Sequence, residues 1–305
     1  MDDLLKISDL EKREIEDILD QAEELKIKQK QGDAHQILAG RSLGLIFAKS
    51  STRTRVSFET GIYQLGGQGI FLSSSDIQLG RGESLADTAK TLSRYLAGIM
   101  IRTFEQREVE ELALYSSIPV INGLTDKYHP CQALSDLFTI QEKKENLSDL
   151  KLAYIGDGNN MAHSLLLAAG KVGMDIYIAS PKDYAPDQEV VKKAEKVALN
   201  NNSEIKVGNN PKEAVQGADV VYTDVWASMG QEDEASVRKE AFASFQVDKE
   251  LMSKADKKAI FMHCLPAHRG EEVTAEIIDG SQSVVFDQAE NRLHVQKAIM
   301  AKLMA

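Results

Sequence analysis

The chain has 305 residues, 43% of them hydrophobic and 27% charged, with a formal net charge of −11. That length accommodates two domains of ordinary size, each with its own core. The acidic balance excludes a general nucleic-acid binder, which needs a basic face, and no apolar run approaches the roughly 20 residues that cross a bilayer, so neither nucleic acid nor membrane is an expected partner.

The first residues, with Asp2 and Asp3 ahead of Leu4 and Leu5, lack the basic and apolar regions of a secretory leader. Ser8 and Glu11 have the spacing of a capping box before a helix carrying Leu10, Ile15, Ile18, Leu19, Ala22 and Leu25 on its apolar stripe. From Leu43 on, short apolar runs alternate with amphipathic stretches. The spacing predicts strands at 43–48, 69–72, 98–102 and 118–121 and helices at 53–65, 84–96, 105–116 and 131–144, the last with Pro130 at its entrance. The polar stretch 141–149 reads as a hinge. The alternation restarts with strands at 151–155, 174–179, 204–207, 219–223 and 259–262 and helices at 160–171, 187–200 and 211–216. Repeated strand–helix–strand order requires parallel sheets with helices on both faces. The expected fold class is α/β, with two doubly wound parallel-sheet domains of similar size and a cleft between them. The expected domains are 1–145 and 146–287, with a final helix in 288–305 packing back on the first. The two cysteines, Cys131 and Cys264, form no CxxC pair, which fits a reducing, cytoplasmic setting.

Ser51-Thr52-Arg53-Thr54-Arg55 falls at a strand-to-helix junction. The first N–H groups of a helix are unpaired and its dipole favours an anion. Two guanidiniums and three hydroxyls added there make a socket for a phosphate dianion, the alternative being a solvated basic helix start. Ligands of open parallel sheets bind at the carboxyl ends of strands. Arg102, His129, the run Asp157-Gly158-Asn159-Asn160, Asp224 and the pair His263-Cys264 all fall on that edge.

Other motifs leave alternatives open. Gly156-x-Gly158 lacks the third glycine of a dinucleotide fingerprint, and Ser180-Pro181 stands where a ribose-binding acid belongs, so no nucleotide cofactor is expected. His129-Pro130-Cys131-Gln132 puts an imidazole and a carboxamide at a helix entrance, as a cap or as ligand contacts. His263, Cys264 and His268 offer three zinc ligands without a fourth at sensible spacing, so no metal is expected either. Asp224-Val225-Trp226-Ala227-Ser228-Met229-Gly230 opens an acidic loop that reads as a substrate loop or an ordinary solvated one. The segment 76–84 is similarly ambiguous.

Together, STRTR, the Arg of IMIRT, HPCQ, GDGNN, DVWASMG and HCLPAHRG occur in the order of the aspartate/ornithine carbamoyltransferase family, which the chain resembles over essentially its whole length. The resemblance implies a first domain that binds carbamoyl phosphate, a second that binds the amino acid, and a homotrimer with active sites at subunit boundaries. It implies carbamoyl phosphate contacts from Ser51, Thr52, Arg53 and Thr54, from Arg102 and His129 on the carbamoyl oxygen, and from Gln132 on the carbamoyl NH2. Cys264, the backbone of Leu265, Arg292 and Gln78 complete that set, Gln78 from a loop bordering a neighbouring subunit's site. Asn160, Asp224, Ser228 and Met229 would bind ornithine, and Arg102, His129, Asp224 and Cys264 would carry the catalysis. No cofactor is implied.

The residue types suit transfer of a carbamoyl group to an amine, giving citrulline and phosphate from ornithine in arginine metabolism. Donors at Arg102, His129 and Thr54 match a tetrahedral oxyanion, and Arg53 with the helix start matches a departing phosphate. Residues 224–234 contain Asp224, Glu232, Asp233 and Glu234 but no Lys or Arg. That favours a diamino acid over aspartate, whose second carboxylate needs a cation. Putrescine as acceptor, and a non-catalytic metabolite-binding relative, are the alternatives.

Overall fold

Residues 1–74, 82–227 and 232–305 are described by the computed structural model. The chain divides into two units: Met1–Phe138 together with Glu290–Ala305, and Thr139–Ala289.

In the first unit, α1 (Lys12–Gln31) precedes β1 (Ser42–Phe47), α2 (Thr52–Gln64), β2 (Gln68–Ser73), α3 (Leu85–Leu92), β3 (Gly98–Arg102), α4 (Gln106–Tyr115), β4 (Val120–Leu124) and α5 (Pro130–Lys144), whose residues from Thr139 on belong to the second unit. The sheet is parallel, in the order β2-β1-β3-β4. Its central strands are buried almost throughout, as continuous aliphatic runs such as Leu45-Ile46-Phe47 and Ile99-Met100-Ile101 require when both faces are covered. Strand order reverses at β1/β3, where Phe47 pairs with Arg102. The segments after β1 and β3 therefore emerge side by side at a topological switch point, the usual ligand position in such sheets.

The second unit runs β5 (Lys151–Ile155), α6 (Asn160–Val172), β6 (Asp175–Ala179), α7 (Gln188–Asn200), β7 (Ile205–Gly208), α8 (Pro211–Val215), β8 (Val220–Thr223), α9 (Ala235–Ala241), α10 (Lys249–Met252), β9 (Ile260–His263) and α11 (Ala275–Ile278). Its parallel sheet has the order β7-β6-β5-β8-β9. The switch point is β5/β8, where Ile155 pairs with Thr223, and Thr223 pairs in turn with His263. The last helix, α12 (Val285–Met304), passes into the first unit at Glu290. There it packs closely on α2: a Cβ at Gly61 would lie 2.9 Å from the Met300 methyl and 3.2 Å from Lys297, so a larger residue there would have to push those side chains aside.

Each predicted strand is present, with ends shifted by a residue or a few. Three local expectations need correction. The capping box is formed by Glu11 and Glu14, not Ser8 and Glu11. Residues Ile7–Asp9 form a separate 3₁₀ turn, which places Leu10 between the two elements, still fully buried. The helix predicted at 84–96 ends at Leu92, where the Ser93 hydroxyl donates to the Ala89 carbonyl and competes with the next turn. The polar stretch 141–149 is helical as far as Lys144, and the chain turns through left-handed Glu145 and Asp149.

Candidate active site

In the first unit, Ser51 caps α2, its hydroxyl accepting from the Thr54 N–H at 3.2 Å. The Thr54 hydroxyl is fully buried; its oxygen accepts from Ser51 Oγ at 3.1 Å and from Arg292 of α12 at 2.9 Å. Both lone pairs are thereby used, which leaves the hydroxyl proton as its donor. The two guanidiniums of the STRTR run do not share one socket. Positions two apart lie on opposite faces of a helix. Arg55 is exposed, held by Glu59 at 3.0 Å and stacked 3.7 Å over the Phe71 ring, while Arg53 remains beside His129.

Arg102, the last residue of β3, is buried. His129 follows a tight turn in which Thr125 donates its N–H to the Tyr128 carbonyl and accepts the Tyr128 N–H on its hydroxyl. Pro130, at the first position of α5, has no N–H to satisfy. The buried imidazole is held well below its ordinary pKa by desolvation first, then by the positive charges of Arg292, Arg102 and Arg53. His129 is therefore neutral at physiological pH, and four sequence-predicted residues meet around one point. Gln132 lies one turn along α5, buried, donating to the fully buried Asp136 at 2.8 Å; its Oε1 has no hydrogen-bond partner among the described residues. A buried acceptor left this way is costly unless a ligand supplies a donor. Neighbouring Cys131 is different: burial pushes its thiol up to about 12 and it donates to the Asn122 carbonyl, a packing role.

In the second unit, Asp224 follows β8 and is buried. Its carboxylate accepts from the Cys264 thiol at 3.0 Å, the Asn159 amide at 2.9 Å and the Val225 N–H at 2.8 Å. Asn159 also caps α6, accepting from the Met161 and Ala162 N–H groups, and so ties Asp224 to the helix entrance that carries Asn160. Gly158 is not a nucleotide-binding glycine. Its N–H donates to the Tyr184 carbonyl, and a Cβ there would lie 2.2 Å from the Pro186 nitrogen, so the space beside it is filled by backbone.

Asp157 shows what sequence reading missed. It faces Arg238 of α9 at 3.1 Å, both side chains buried, and the same guanidinium donates to the Trp226 carbonyl at 3.0 Å and to Glu234 at 3.0 Å. Burial raises the Asp157 carboxyl to about 6 against the pull of Arg238, with Asp224 adding to the rise. One buried cation thus joins Asp157, the Trp226 carbonyl and Glu234. In sequence this acidic stretch reads as a substrate loop or an ordinary solvated one, with nothing to mark Arg238 as buried.

Cys264 and Leu265 follow β9. Leu265 is left-handed, with φ 58°, and its N–H donates to His263 Nδ1 at 2.8 Å. Gln78, Ser228 and Met229 lie outside the described residues.

The family is shown by two domain models. The model described as "Aspartate/ornithine carbamoyltransferase, carbamoyl-P binding domain" matches residues 2–142. The one described as "Aspartate/ornithine carbamoyltransferase, Asp/Orn binding domain" matches residues 148–303. The chain belongs to the aspartate/ornithine carbamoyltransferase family. Among its relatives, the ornithine carbamoyltransferase of Oceanobacillus iheyensis is 61% identical over 303 residues, covering 99% of this chain and 94% of that protein. That of Thermococcus kodakarensis is 56% identical, covering 99% and 96%. The solved structure of the Pyrococcus furiosus ornithine carbamoyltransferase superposes with a TM-score of 0.97 at 53% identity, covering 99% of this chain and 96% of that one.

Proposed function

We propose that this enzyme transfers the carbamoyl group of carbamoyl phosphate to the side-chain amine of L-ornithine, giving L-citrulline and phosphate. The observation that carries the reading is the convergence of Arg53, Arg102 and Arg292 on a neutral, buried His129 beside the capped start of α2. Three cations around one uncharged imidazole call for an anionic ligand, and a phosphate dianion suits guanidinium forks and a helix N-terminus.

In this reading Ser51, Thr52, Arg53 and Thr54 hold the phosphate, with Arg292 bracing Thr54. Arg102, His129 and the Thr54 hydroxyl face the carbamoyl oxygen, where negative charge grows as the amine adds. Because His129 is neutral it donates a hydrogen bond without giving up a proton, which suits stabilisation of an oxyanion that must collapse again. Gln132 Oε1 accepts from the carbamoyl NH2, satisfying the buried acceptor. When the C–O bond to phosphate breaks, charge moves onto the group held by Arg53 and the helix start. The leaving phosphate, in this reading, takes the proton shed by the amine.

Asp224, with Asn159 fixing its orientation, supplies the anion that a diamino acid needs, and Cys264 lies against it. Asn160 of the same helix entrance serves the α-carboxylate, joined by Ser228 and Met229, while Leu265 and Gln78 complete the carbamoyl phosphate contacts. The first unit is accordingly the carbamoyl phosphate-binding domain and the second the ornithine-binding domain. No helix among the described residues is long and apolar enough to cross a membrane, and both cysteines are free, in keeping with a cytoplasmic enzyme. The assembly proposed with this reading is a homotrimer, as the family resemblance implies.

The test of the socket is Arg53→Ala. Citrulline formation should be lost while the circular-dichroism spectrum is retained; activity near that of the unaltered enzyme would refute the placement of the phosphate.

A further inference from the structure

His263 and Glu272 have no part in the reaction as drawn, yet both are completely buried a few ångströms from residues that do. The Leu265 N–H donates to His263 Nδ1 at 2.8 Å, so Nδ1 carries the lone pair and the ring proton sits on Nε2. Nε2 in turn lies 3.3 Å from Glu272 Oε1, an oxygen that also accepts the His268 N–H at 2.5 Å. A carboxylate has only acceptors, so it admits one neutral ring form, the one with the proton facing it. Were the proton on Nδ1, two N–H groups would confront each other at Leu265 and the turn would lose its closing bond.

That turn needs closing. Leu265 is a left-handed non-glycine residue, a conformation that persists only where surrounding contacts enforce it. From the other side, the His263 N–H donates to Gln288 Oε1 at 2.9 Å and Gln288 is fixed by Tyr222 at 3.1 Å, so the strand end does not yield. The turn between these holds is Cys264-Leu265, whose thiol lies on Asp224.

We infer that Glu272 and His263 are positioning residues for the reaction proposed above, on which this inference rests: Glu272 keeps the ring proton on His263 Nε2, and His263 Nδ1 then holds the Cys264–Leu265 turn in its left-handed form. Neither touches a substrate. They act by placing the Leu265 carbonyl and the Cys264 thiol, and a displacement of about 1 Å at a reacting centre costs on the order of 100-fold in rate.

The test uses the full-length enzyme with His263→Ala, His263→Asn and Glu272→Ala, together with ¹⁵N-histidine NMR of the unaltered protein. An Asn Oδ1 occupies the place of Nδ1 and accepts the Leu265 N–H, but offers nothing to Glu272. We expect the His263 ring to show a protonated Nε2 and an unprotonated Nδ1. His263→Ala should lower kcat about 100-fold, with a rise in the ornithine KM no greater than that of Cys264→Ala, and His263→Asn should recover most of the kcat loss. Glu272→Ala should lower kcat and give a mixture of ring forms. A ring protonated at Nδ1, a His263→Asn enzyme no faster than His263→Ala, or an unchanged kcat in Glu272→Ala would each overturn the inference while leaving the reaction assignment in place. If His263→Ala does not fold, the ring form and the comparison of His263→Asn with the unaltered enzyme decide it. Absence of citrulline formation by the unaltered enzyme would instead overturn the assignment, and the NMR would still report the clamp.

Discussion

Replacing Arg238 by glutamine removes the buried guanidinium that pairs with Asp157 and leaves a shorter, uncharged side chain in its place. In the unaltered protein the folded-state pKa of Asp157 is about 6, against 3.8 for an unperturbed carboxyl. A raised acid pKa means the folded chain binds the proton more tightly than the unfolded one, so this group makes stability fall as pH rises from about 4 to about 6. Without Arg238, both its charge and its hydrogen bond are lost, and the carboxyl should climb toward the roughly 8–9 reached by unpaired buried acids. At about 1.36 kcal/mol per pKa unit, a further rise of about two units is worth about 3 kcal/mol. That difference is absent at pH 5, where Asp157 is protonated in both folded forms, and develops as pH passes through 6 to 8. It agrees with the 3–5 kcal/mol typical of breaking one side of a buried ion pair. Urea unfolding followed by Trp226 fluorescence measures it directly, since Trp226 is the chain's single tryptophan and its carbonyl accepts from Arg238. Arg238→Gln should lose about 3 kcal/mol more, relative to the unaltered protein, at pH 8.5 than at pH 5. A deficit independent of pH, or greater at pH 5, would refute the reasoning. The same change should raise the ornithine KM, because the guanidinium joins the Trp226 carbonyl and Glu234 to Asp157, just ahead of Asn159 and Asn160.

Thr54→Val removes the hydroxyl proposed to face the carbamoyl oxygen and the acceptor of the Arg292 hydrogen bond; kcat should fall about 10²–10³-fold, measured by citrulline release, with the fold retained. Cys264→Ala deletes the thiol lying on Asp224 and should raise the ornithine KM about 10-fold, while the carbamoyl phosphate KM stays within a factor of two. Lys297 is fully buried, donates to Gln29 and meets His35 at 2.7 Å, and burial lowers its pKa to about 8. The sign here is opposite to that of Asp157: stability rises with pH between about 8 and about 10.5, where only the unfolded chain holds the proton. Lys297→Met should therefore stabilise the protein by about 1–3 kcal/mol at pH 7 and flatten that rise, as read by denaturant midpoints across the range.

Much of the architecture was legible because both sheets are parallel and interior. Runs such as Leu43–Phe47 and Leu152–Ile155 have to be apolar throughout, and the helices between them keep a one-sided stripe, so element order and fold class follow from periodicity alone. Helix ends were less legible, since a cap depends on one hydroxyl or carboxylate: Glu11 rather than Ser8 begins α1, and Ser93 draws α3 to a close early. In the site, residues that end strands stood out as polar breaks after apolar runs. That is why Arg102, Asp224 and Cys264 stand out in the sequence. The residues that hold them in place were not. Asp136, Arg238 and Glu272 sit within charged or amphipathic surroundings that read as solvated surface, and only the fold buries them. Arg55 erred the other way, because the density of charge in STRTR hides the helical rotation that turns it toward Glu59 and Phe71.

The central claim is that a carbamoyl group held among Arg53, Arg102, His129 and Arg292 is delivered to ornithine placed by Asp224. It is tested most directly by measuring kcat/KM with carbamoyl phosphate and four acceptors in parallel: L-ornithine, putrescine, L-aspartate and N-acetyl-L-ornithine. The account predicts citrulline and stoichiometric phosphate with ornithine, at an efficiency far above the other three. Higher efficiency with aspartate or putrescine, or no carbamoyl transfer to any of the four, would contradict it.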